Sequence, residues 1–463
     1  MTIVLSSSIF GATFADAEVA ALLSDEAFFR SLLQVEVALA RTQAALGIIP
    51  APAAVAIEAA AAVLPFDPGA LAAGVLKDGV PIVALVAQLR AAVAPDTREF
   101  VHWGATSQDI VDTATVLGVG RVLDRLDAAL VELLRRLASD CRAHRHSVMA
   151  ARTHSQHALP TSFGLKLAGW ALPLVRHRER LVELRRRFGV LQLGGAAGTL
   201  LALGPRALEL GERLARELGL ALPELPWHAQ RDTVAELGAW LALLTGSLGK
   251  LAQDVVLLCQ SEVAELSEAP HGQRGGSSSM PQKNNPMRSE QILAAARCVS
   301  AQLSALMGAL VQEHERGTHG WQVEWLCLSP MLSLAAGACK NALELTRDWV
   351  IDVERMRSNV MSGHGLLLSE AAVGALSDPA ASTGLTRSAA RALVSTCAAR
   401  ALEQGRSLIE LLRDALSETQ PQNRVDWASL ALPENHLGQA DALIERALAR
   451  IDAASAAPAP EAA

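Results

Sequence analysis

The sequence predicts an all-α protein, and three properties lead to this prediction. Aromatic residues make up only 3% of the 463 residues and tyrosine is absent, whereas alanine and leucine dominate. This balance favours packed helices over sheets. Apolar residues also recur over long stretches at the spacing of an α-helix. Finally, 51% of the residues are hydrophobic, which is enough to form a large buried core.

The first helices are predicted in the N-terminal part of the chain. From Ser24 to Leu46 the apolar residues follow a helical period, and Gly47 with Pro50 terminates it. A second helix ends near Leu64. Residues 66–109 are interrupted repeatedly by glycine and proline, so short helices and loops are expected there.

Long helices are predicted after Asp109. In the first of them, five apolar residues step by three or four and form one face. These residues are Val122, Leu126, Leu130, Leu133 and Leu137.

The segment from Val234 to Leu266 is predicted to be one helix that is apolar on nearly every face as far as Gln260. A helix that is apolar all round must be buried all round. We therefore expect neighbouring subunits to cover it in an intersubunit bundle. Another long helix is predicted from Pro286 to Gln312, and shorter helices follow from Met361.

Three parts and a tail are predicted from this layout. Residues 1–110 form an N-terminal domain of short helices and loops, residues 111–360 a central domain of long helices, and residues 361–452 a small helical domain. The Ala/Pro-rich residues 453–463 are predicted to be disordered.

Charge and cysteine usage narrow the class of protein. The net charge of −7 and the scattered basic residues argue against nucleic-acid binding. The six cysteines lie far apart without a CxxC pair, as expected of reduced, buried thiols. No basic region precedes the short apolar N-terminus, and no uncharged apolar run reaches about 18 residues with membrane character. A cytoplasmic protein without a membrane partner is predicted.

Motifs for metals and nucleotides are not found in the sequence. It contains no HxxxH, HExxH or acidic cluster at ligand spacing. The glycine-rich run from Gly194 to Gly198 lacks the GxGxxG spacing and a preceding strand signal. No metal and no cofactor are therefore predicted.

A polar loop from Gly275 to Pro286 interrupts the apolar helices. By composition alone its glycines and serines are also typical of a flexible linker. However, the run from Gly276 to Pro286 resembles, without a gap, the signature GSSxMPxKxNP of the fumarase/aspartase superfamily. Two further segments, Phe100–Asp109 and Ala151–Thr161, resemble this superfamily in the expected order.

The resemblance implies an enzyme that adds or eliminates a group across the carbon–carbon bond next to a carboxylate, through an aci-carboxylate carbanion. It also implies a small di- or tricarboxylate substrate, a three-part fold, and a homotetramer in which different subunits bring the three segments together. No cofactor is needed for this chemistry. Such a reaction needs a base, a set of cations and donors for the aci-carboxylate, and an acid.

The superfamily positions suggest residues for each task. Ser277 is the expected base, and its pKa would have to be lowered by amide donors and positive charge. His154, next to Thr153, is the expected acid or leaving-group partner. Asp109 is read mainly as a helix cap. Candidate substrate-binding residues are Lys283, Asn285, Ser278, Thr106, Ser107 and Thr153, with His102 and His157 in the second rank. Gln230 rests on a three-residue match, and Arg316 is expected either to bind another substrate carboxylate or to form a surface pair.

The remaining similar runs, including Trp227–Asp232 and His314–Trp325, look most like the branch of 3-carboxy-cis,cis-muconate cycloisomerases. That branch closes a lactone by adding a tethered carboxylate to a double bond. Gln282 and Asn284 depart from its usual histidine and cation. Another lyase or epimerase acting on adenylosuccinate or an N-substituted aspartate therefore stays open. A catalytically silent helical scaffold is opposed by the joint presence of the serine, histidine, lysine and asparagine.

Overall fold

The computed structural model describes residues 4–269 and 274–456, and it confirms the all-α prediction. The α-helices are α1 (Gly11–Phe14), α2 (Ala17–Leu22), α3 (Asp25–Ala45), α4 (Ala51–Val63), α5 (Pro68–Asp78), α6 (Ile82–Ala92), α7 (Ser107–Ala143), α8 (Phe163–Phe188), α9 (Ala207–Leu218), α10 (Asp232–Leu258), α11 (Met287–Gly308), α12 (Gly320–Asp348), α13 (Val353–Met361), α14 (Ser369–Ser377), α15 (Arg387–Gln404), α16 (Leu408–Thr419), α17 (Trp427–Leu430) and α18 (Ala440–Ala456). The strands are β1 (Val148–Thr153), β2 (Gln156–Ser162), β3 (Leu266–Ser267) and β4 (Val350–Ile351).

Five long helices, α7, α8, α10, α11 and α12, form an up-and-down bundle around the largest apolar core. Helix α8 runs back along α7, and the buried side chains of Arg178 and Asp127 join them at 2.6 Å. Trp240 of α10 donates its indole N–H to the carbonyl of His177 in α8 at 3.0 Å. Because successive helices alternate in direction, the connections between them gather at two opposite ends of the bundle.

Helix boundaries agree with the sequence at some ends and differ at others. Helix α3 begins where predicted, because the Ser24 hydroxyl accepts a hydrogen bond from the Ala27 N–H. The prediction of one helix as far as Leu266 is wrong. Helix α10 ends at Leu258, and the chain turns through Ala264, whose φ is +52°.

Helix α11 begins next to Pro286, as predicted, but it ends at Gly308 rather than at Gln312. The segment after Gly308 turns away from the helix. The side chain of Gln312 donates back to the carbonyl of Ala309 at 3.0 Å. This turn leads the chain towards Arg316.

Strands β1 and β2 form an antiparallel hairpin that the sequence analysis did not assign. Val148 pairs with Ser162, and a bulge between Ala150 and Arg152 shifts the register towards the tip. A second short pair joins β3 to β4. The hairpin carries the Ala151–Thr161 motif and follows directly after α7.

Outside the bundle, two smaller cores are formed by terminal segments. The N-terminal core combines α3, α4 and α6 with α9, and the C-terminal core combines α14 to α17. Helix α18 returns to pack on α7 and α8. The tail prediction needs a correction, because residues 453–456 belong to α18; residues 457–463 lie outside the described part. The three-part division of the chain stays a prediction.

Two bundle helices, α10 and α12, are long and apolar enough to cross a membrane by length and composition alone. This property is not visible as an uncharged run in the sequence, because Lys250 and Asp254 interrupt α10. In the most apolar window of α10, 50% of the residues are buried within the chain. Leu243 and Leu257 of α10 and Leu326 of α12 are among the large apolar side chains left exposed.

Candidate active site

The N-terminus of α7 carries the first group of predicted site residues. Thr106 precedes the helix, and Ser107 is its first residue. A helix N-terminus presents unpaired backbone N–H groups and favours anions. Arg316 reaches this point from the segment between α11 and α12, and its guanidinium donates to the Thr106 hydroxyl at 2.8 Å and to Gln108 Oε1 at 3.3 Å. A cation, a hydroxyl and a helix N-terminus are therefore assembled at one place.

Asp109 connects the N-terminus of α7 to two other segments of the chain. Its buried carboxylate accepts hydrogen bonds from the backbone N–H groups of Thr106, Gly194 and Gly195 at 2.9 to 3.0 Å, and it contacts His228 Nε2 at 2.8 Å. The prediction that Asp109 caps α7 is correct in geometry. In addition, the same carboxylate joins three separate segments beside Thr106 and Arg316.

Gln230 lies nearby, exposed, at a cavity of about 900 Å³ that His228 and His314 also line. His314 has a φ of +52°, as rare in non-glycine residues as the +62° of His102 and the +48° of His154. Backbone conformations of this kind concentrate at functional sites. His314 was not singled out from the sequence, because a backbone angle leaves no signal in the residue pattern.

His102 lies in the turn before α7 and is held by a buried carboxylate of helix α3. Its Nδ1 lies 2.6 Å from Oε1 of Glu36 in α3, and the Glu36 side chain is 1% exposed. Burial alone would lower the pKa of the His102 imidazole. The charge and hydrogen bond of Glu36, with the charge of Asp109, outweigh burial and raise that pKa above its ordinary value. His102 therefore favours its cationic form.

Replacing Glu36 with glutamine should lower the pKa of His102, because the opposing charge is lost while burial remains. Since the folded-state pKa is raised, the pair stabilises the fold most below the ordinary imidazole pKa, and this stabilisation disappears as pH rises through the raised value. We expect the alkaline limb of kcat/KM against pH to move to lower pH in Glu36→Gln. Glu26→Gln, on an exposed position of the same helix, is the control. An alkaline limb that does not move would contradict a cationic role for His102.

The second predicted group lies on the β1–β2 hairpin. Thr153 and His154 are exposed at its tip, where His154 and Ser155 take left-handed backbone angles. Next to the tip, Arg152 makes a bidentate pair with Glu265 at 3.0 and 2.6 Å. Asn359 donates to the same carboxylate at 2.8 Å. The residue before the hairpin tip is thus fixed to Glu265, which lies between α10 and the loop from Gly275 to Pro286.

His157 lies on β2 just beyond this tip and is exposed. Burial lowers the pKa of His157, and the charge of Arg152 lowers it further, whereas Glu265 acts against this. His157 is therefore neutral near pH 7, and it can accept as well as donate a hydrogen bond.

The third group lies on the loop from Gly275 to Pro286, called the signature loop below. The Ser277 hydroxyl accepts long hydrogen bonds from the backbone N–H groups of Ser279 and Met280, at 3.4 and 3.3 Å. Ser278 and Lys283 are exposed and Asn285 is half-buried. Met280 and Lys283 close a tight turn at the tip through a 3.0 Å hydrogen bond. Two amide donors therefore converge on the serine oxygen.

Within one chain, these groups lie at opposite ends of the bundle. Thr106, Arg316 and Gln230 are at one end, called the Thr106 end, whereas the hairpin and the signature loop are at the other, called the loop end. Helix α11 separates the loop from the segment carrying Arg316, and its 22 residues span about 33 Å. This distance far exceeds the length of a small tricarboxylate, so one described chain does not bring all of these residues to one substrate.

Glu36 and Asp348 are further residues that the sequence did not reveal. Glu36 is 66 residues from His102, and Asp348 is 60 residues from its partner Arg288. A buried acidic residue on an otherwise apolar helix face was the available signal for Glu36. Among the residues that the structure describes, no group of three or more His, Cys, Asp or Glu side chains is placed to hold a metal ion.

Comparison with known proteins identifies the family of this chain. A family model described as "Lyase" matches residues 13–301, more than half of the chain. The chain is 42% identical to the 3-carboxy-cis,cis-muconate cycloisomerase of Pseudomonas aeruginosa, over 99% of this chain and 100% of that protein. It is 39% identical to the nitrosuccinate lyase of Streptomyces davaonensis, over 97% of this chain and 96% of that one.

A solved structure is similar over nearly the same length. The 3-carboxy-cis,cis-muconate lactonizing enzyme from Pseudomonas putida superposes with a TM-score of 0.90 at 37% identity, covering 97% of this chain and 100% of that chain. The resemblance inferred from the three motifs is thus confirmed by matches that extend over the full fold. This chain belongs to the lyase family, and it is an enzyme of the fumarase/aspartase superfamily.

Proposed function

We propose that this enzyme interconverts 3-carboxy-cis,cis-muconate and its carboxymuconolactone, a step in the degradation of aromatic compounds. The observation that carries the proposal is the similarity, over almost the whole chain, to cycloisomerases of this substrate in sequence and in structure. The charged and polar groups of the three motifs supply what the reaction needs.

In the lactonizing direction, a carboxylate oxygen of the substrate adds to the double bond and forms the ring C–O bond. The electron pair of the double bond moves onto the neighbouring carboxylate, which becomes the doubly negative aci-carboxylate. A proton is then delivered to the carbon beside that carboxylate. In the reverse direction the same proton is removed and the ring C–O bond breaks.

Ser277 is the proposed proton carrier at this carbon. An isolated serine hydroxyl holds its proton too tightly to act as a base, but amide donors and a cation favour the oxyanion. The amides of Ser279 and Met280 already point at the Ser277 oxygen. Lys283 of the same loop is the proposed cation, and closure around substrate would exclude water and strengthen both interactions.

The proposed clamp for the substrate carboxylates has two parts. Lys283, Asn285 and Ser278 of the signature loop hold the aci-carboxylate. At the Thr106 end, the α7 N-terminus binds a second carboxylate through a set of donors and cations. This set comprises Thr106, Ser107, Arg316, Gln230 and His102. His154, with Thr153, is proposed to contact the carboxylate that forms and leaves the ring.

A homotetramer with shared active sites is part of the proposal. Its support is the separation of about 33 Å along α11 between the signature loop and the segment carrying Arg316. The exposed apolar side chains of Leu243, Leu257 and Leu326 provide surface for helix packing between subunits. A cytoplasmic location is also proposed, because all six cysteines are free.

A second candidate is a lyase acting on a different dicarboxylate, and the similarity to a nitrosuccinate lyase favours it. The neutral Gln282 and Asn284 in the signature loop are compatible with a substrate of lower charge. Adenylosuccinate and N-substituted aspartates are further substrates that contain the same dicarboxylate unit. The base and the carboxylate clamp would be the same in these reactions.

The ultraviolet absorbance of 3-carboxy-cis,cis-muconate tests the proposal, because lactone formation removes one double bond from the conjugated system. We expect purified enzyme to lower this absorbance with a kcat of roughly 1–10³ s⁻¹. Nitrosuccinate, adenylosuccinate and an N-substituted aspartate are assayed in parallel. No change with the muconate and turnover of one of the others would reject the cycloisomerase and retain the carbanion mechanism.

A further inference from the structure

The base of the signature loop is closed by backbone contacts between its two strands. The Asn285 N–H donates to the Gly275 carbonyl at 2.9 Å, and Gly276 pairs with Asn284 as an antiparallel bridge. Gly275 has a φ of +73°, and a Cβ there would lie 2.4 Å from the Asn285 carbonyl oxygen. A residue with a side chain would therefore open this base.

The side chain of Asn284 adds a contact that leaves the loop. Its Nδ2 donates to the carbonyl of Ala269 at 3.1 Å, and Ala269 is buried. Ala269 precedes the loop, so this hydrogen bond fastens the returning strand to the chain before the loop begins. The Asn284 amide is thus engaged within the protein.

Asp348, at the C-terminus of α12, holds both sides of the same base. Arg274, directly before the loop, and Arg288, in the first turn of α11, each place a guanidinium nitrogen near Oδ2 of Asp348, at 3.4 and 3.1 Å. Arg347 contacts the other oxygen at 2.8 Å. The hydrogen bond and the charge of Arg347, followed by the charge of Arg288, lower the pKa of Asp348 to about 2, so the carboxylate is ionised at working pH.

Glu268 holds the N-terminus of α11. Its carboxylate accepts hydrogen bonds from the backbone N–H groups of Arg288 and Ser289 at 2.9 and 2.7 Å. This contact satisfies two otherwise unpaired N–H groups at the helix N-terminus. The helix that follows the loop is therefore anchored independently of Asp348.

We propose that Asn284 and Asp348 are positioning residues that fix the two strands of the signature-loop base, so that Ser277 is presented to the substrate from a rigid support. Asn284 acts through the loop and makes no substrate contact. The proposal rests on the proposed role of Ser277 as proton carrier. Displacing a catalytic group by about 1 Å can lower the reaction rate about 100-fold. A rigid loop base would prevent such a displacement of Ser277.

Asn284→Asp tests this role without changing the side-chain shape, because it removes the donor and places an oxygen against the Ala269 carbonyl. We expect kcat to fall about tenfold, the effect of losing one hydrogen bond that holds the loop, while KM changes less than about twofold. Hydrogen exchange of the Asn285 N–H and its loop neighbours should become at least about tenfold faster.

Asp348→Asn is the second variant, because it removes the charge that Arg274 and Arg288 share. In Asp348→Asn, kcat should also fall while KM changes little, and amide exchange in the loop should also become faster. If Asn284→Asp does not fold, this variant tests whether the base of the signature loop positions Ser277. Asn435→Asp is the matched control. The Asn435 side chain also donates to a carbonyl, that of Ser429, but it lies in the C-terminal part, so kcat and loop exchange should not change.

Two results would overturn the proposal. A rise of about tenfold or more in KM with unchanged loop exchange would mean that Asn284 contacts the substrate. Unchanged kcat, or unchanged exchange in both variants, would mean that the contacts of Asn284 and Asp348 are not needed to hold the base of the signature loop. Ser277→Ala separates this inference from the proposed function. It should lose turnover, whereas the amide exchange at the base of its loop should equal that of the native protein.

Discussion

Ser277→Ala should lower kcat at least about 10³-fold on 3-carboxy-cis,cis-muconate, because the proton at the carbon beside the carboxylate then has no carrier. The effect on KM should be small, since the serine hydroxyl is not assigned a charge that binds the ground state. The Ser277 side chain makes two long contacts of 3.3 and 3.4 Å with loop amides. Its removal should therefore leave the thermal unfolding temperature unchanged within about 2 °C.

The control for this prediction lies two residues away. Ser279→Ala keeps the backbone amide that points at Ser277 and removes only a hydroxyl from an exposed position. We expect Ser279→Ala to retain at least about a third of the native kcat. Near-normal kcat in Ser277→Ala would show that another group carries the proton.

Arg316→Met should lower kcat/KM by about 100-fold, mainly through KM. The guanidinium donates to Thr106 Oγ1 at 2.8 Å at the N-terminus of α7, and hydrogen bonds to charged groups contribute about 1.5–3 kcal/mol. Methionine keeps the length of the side chain and removes the charge. The substrate carboxylate would then lose the guanidinium at the Thr106 end of the bundle, whereas His102 would remain.

Arg357→Met provides the matched control, because Arg357 pairs with Glu434 on the surface at 2.8 Å. Exposed pairs of this kind contribute at most about 1 kcal/mol to stability, and kinetic constants should not change. A value of KM in Arg316→Met equal to that of the native enzyme would remove Arg316 from the clamp.

The local parts of the fold could be predicted from the sequence because they depend on neighbouring residues. Ser24 begins α3 as a cap, and the apolar steps from Val122 to Leu137 belong to α7. The motif around Thr106 predicted a carboxylate-binding element, and the structure places it at a helix N-terminus beside Arg316. The roles of these residues in catalysis remain predictions.

Other features depend on contacts between distant segments and left no local pattern. The pKa of His102 is raised by Glu36, and Arg274 and Arg288 at the base of the signature loop pair with Asp348 at the C-terminus of α12. The β1–β2 hairpin was not predicted because strand propensity is set largely by packing and cross-strand neighbours. Helix α10 ends at Leu258, and the turn at Ala264 that follows brings Glu265 to Arg152.

The structure shows the surroundings of Gln282 and Asn284, the two loop residues that differ from the cycloisomerase pattern. At Asn284 the loop has a side-chain amide that binds the Ala269 carbonyl, a role that a cation extended towards the substrate would not fill. Gln282 lies exposed in the tight turn between Met280 and Lys283. The cations of the proposed substrate-binding surface are therefore Lys283, Arg316 and His102.

Mixed oligomers of Ser277→Ala and Arg316→Met test most directly whether one active site takes its base and its clamp from different chains. The two variants are co-expressed with different tags, purified as mixed oligomers and assayed at a substrate concentration near the native KM. If each site combines the signature loop of one chain with the Thr106 end of another, random mixing restores both groups in about a quarter of the sites. We predict about a quarter of the native activity. Activity no higher than that of the two variants measured separately would contradict the shared site.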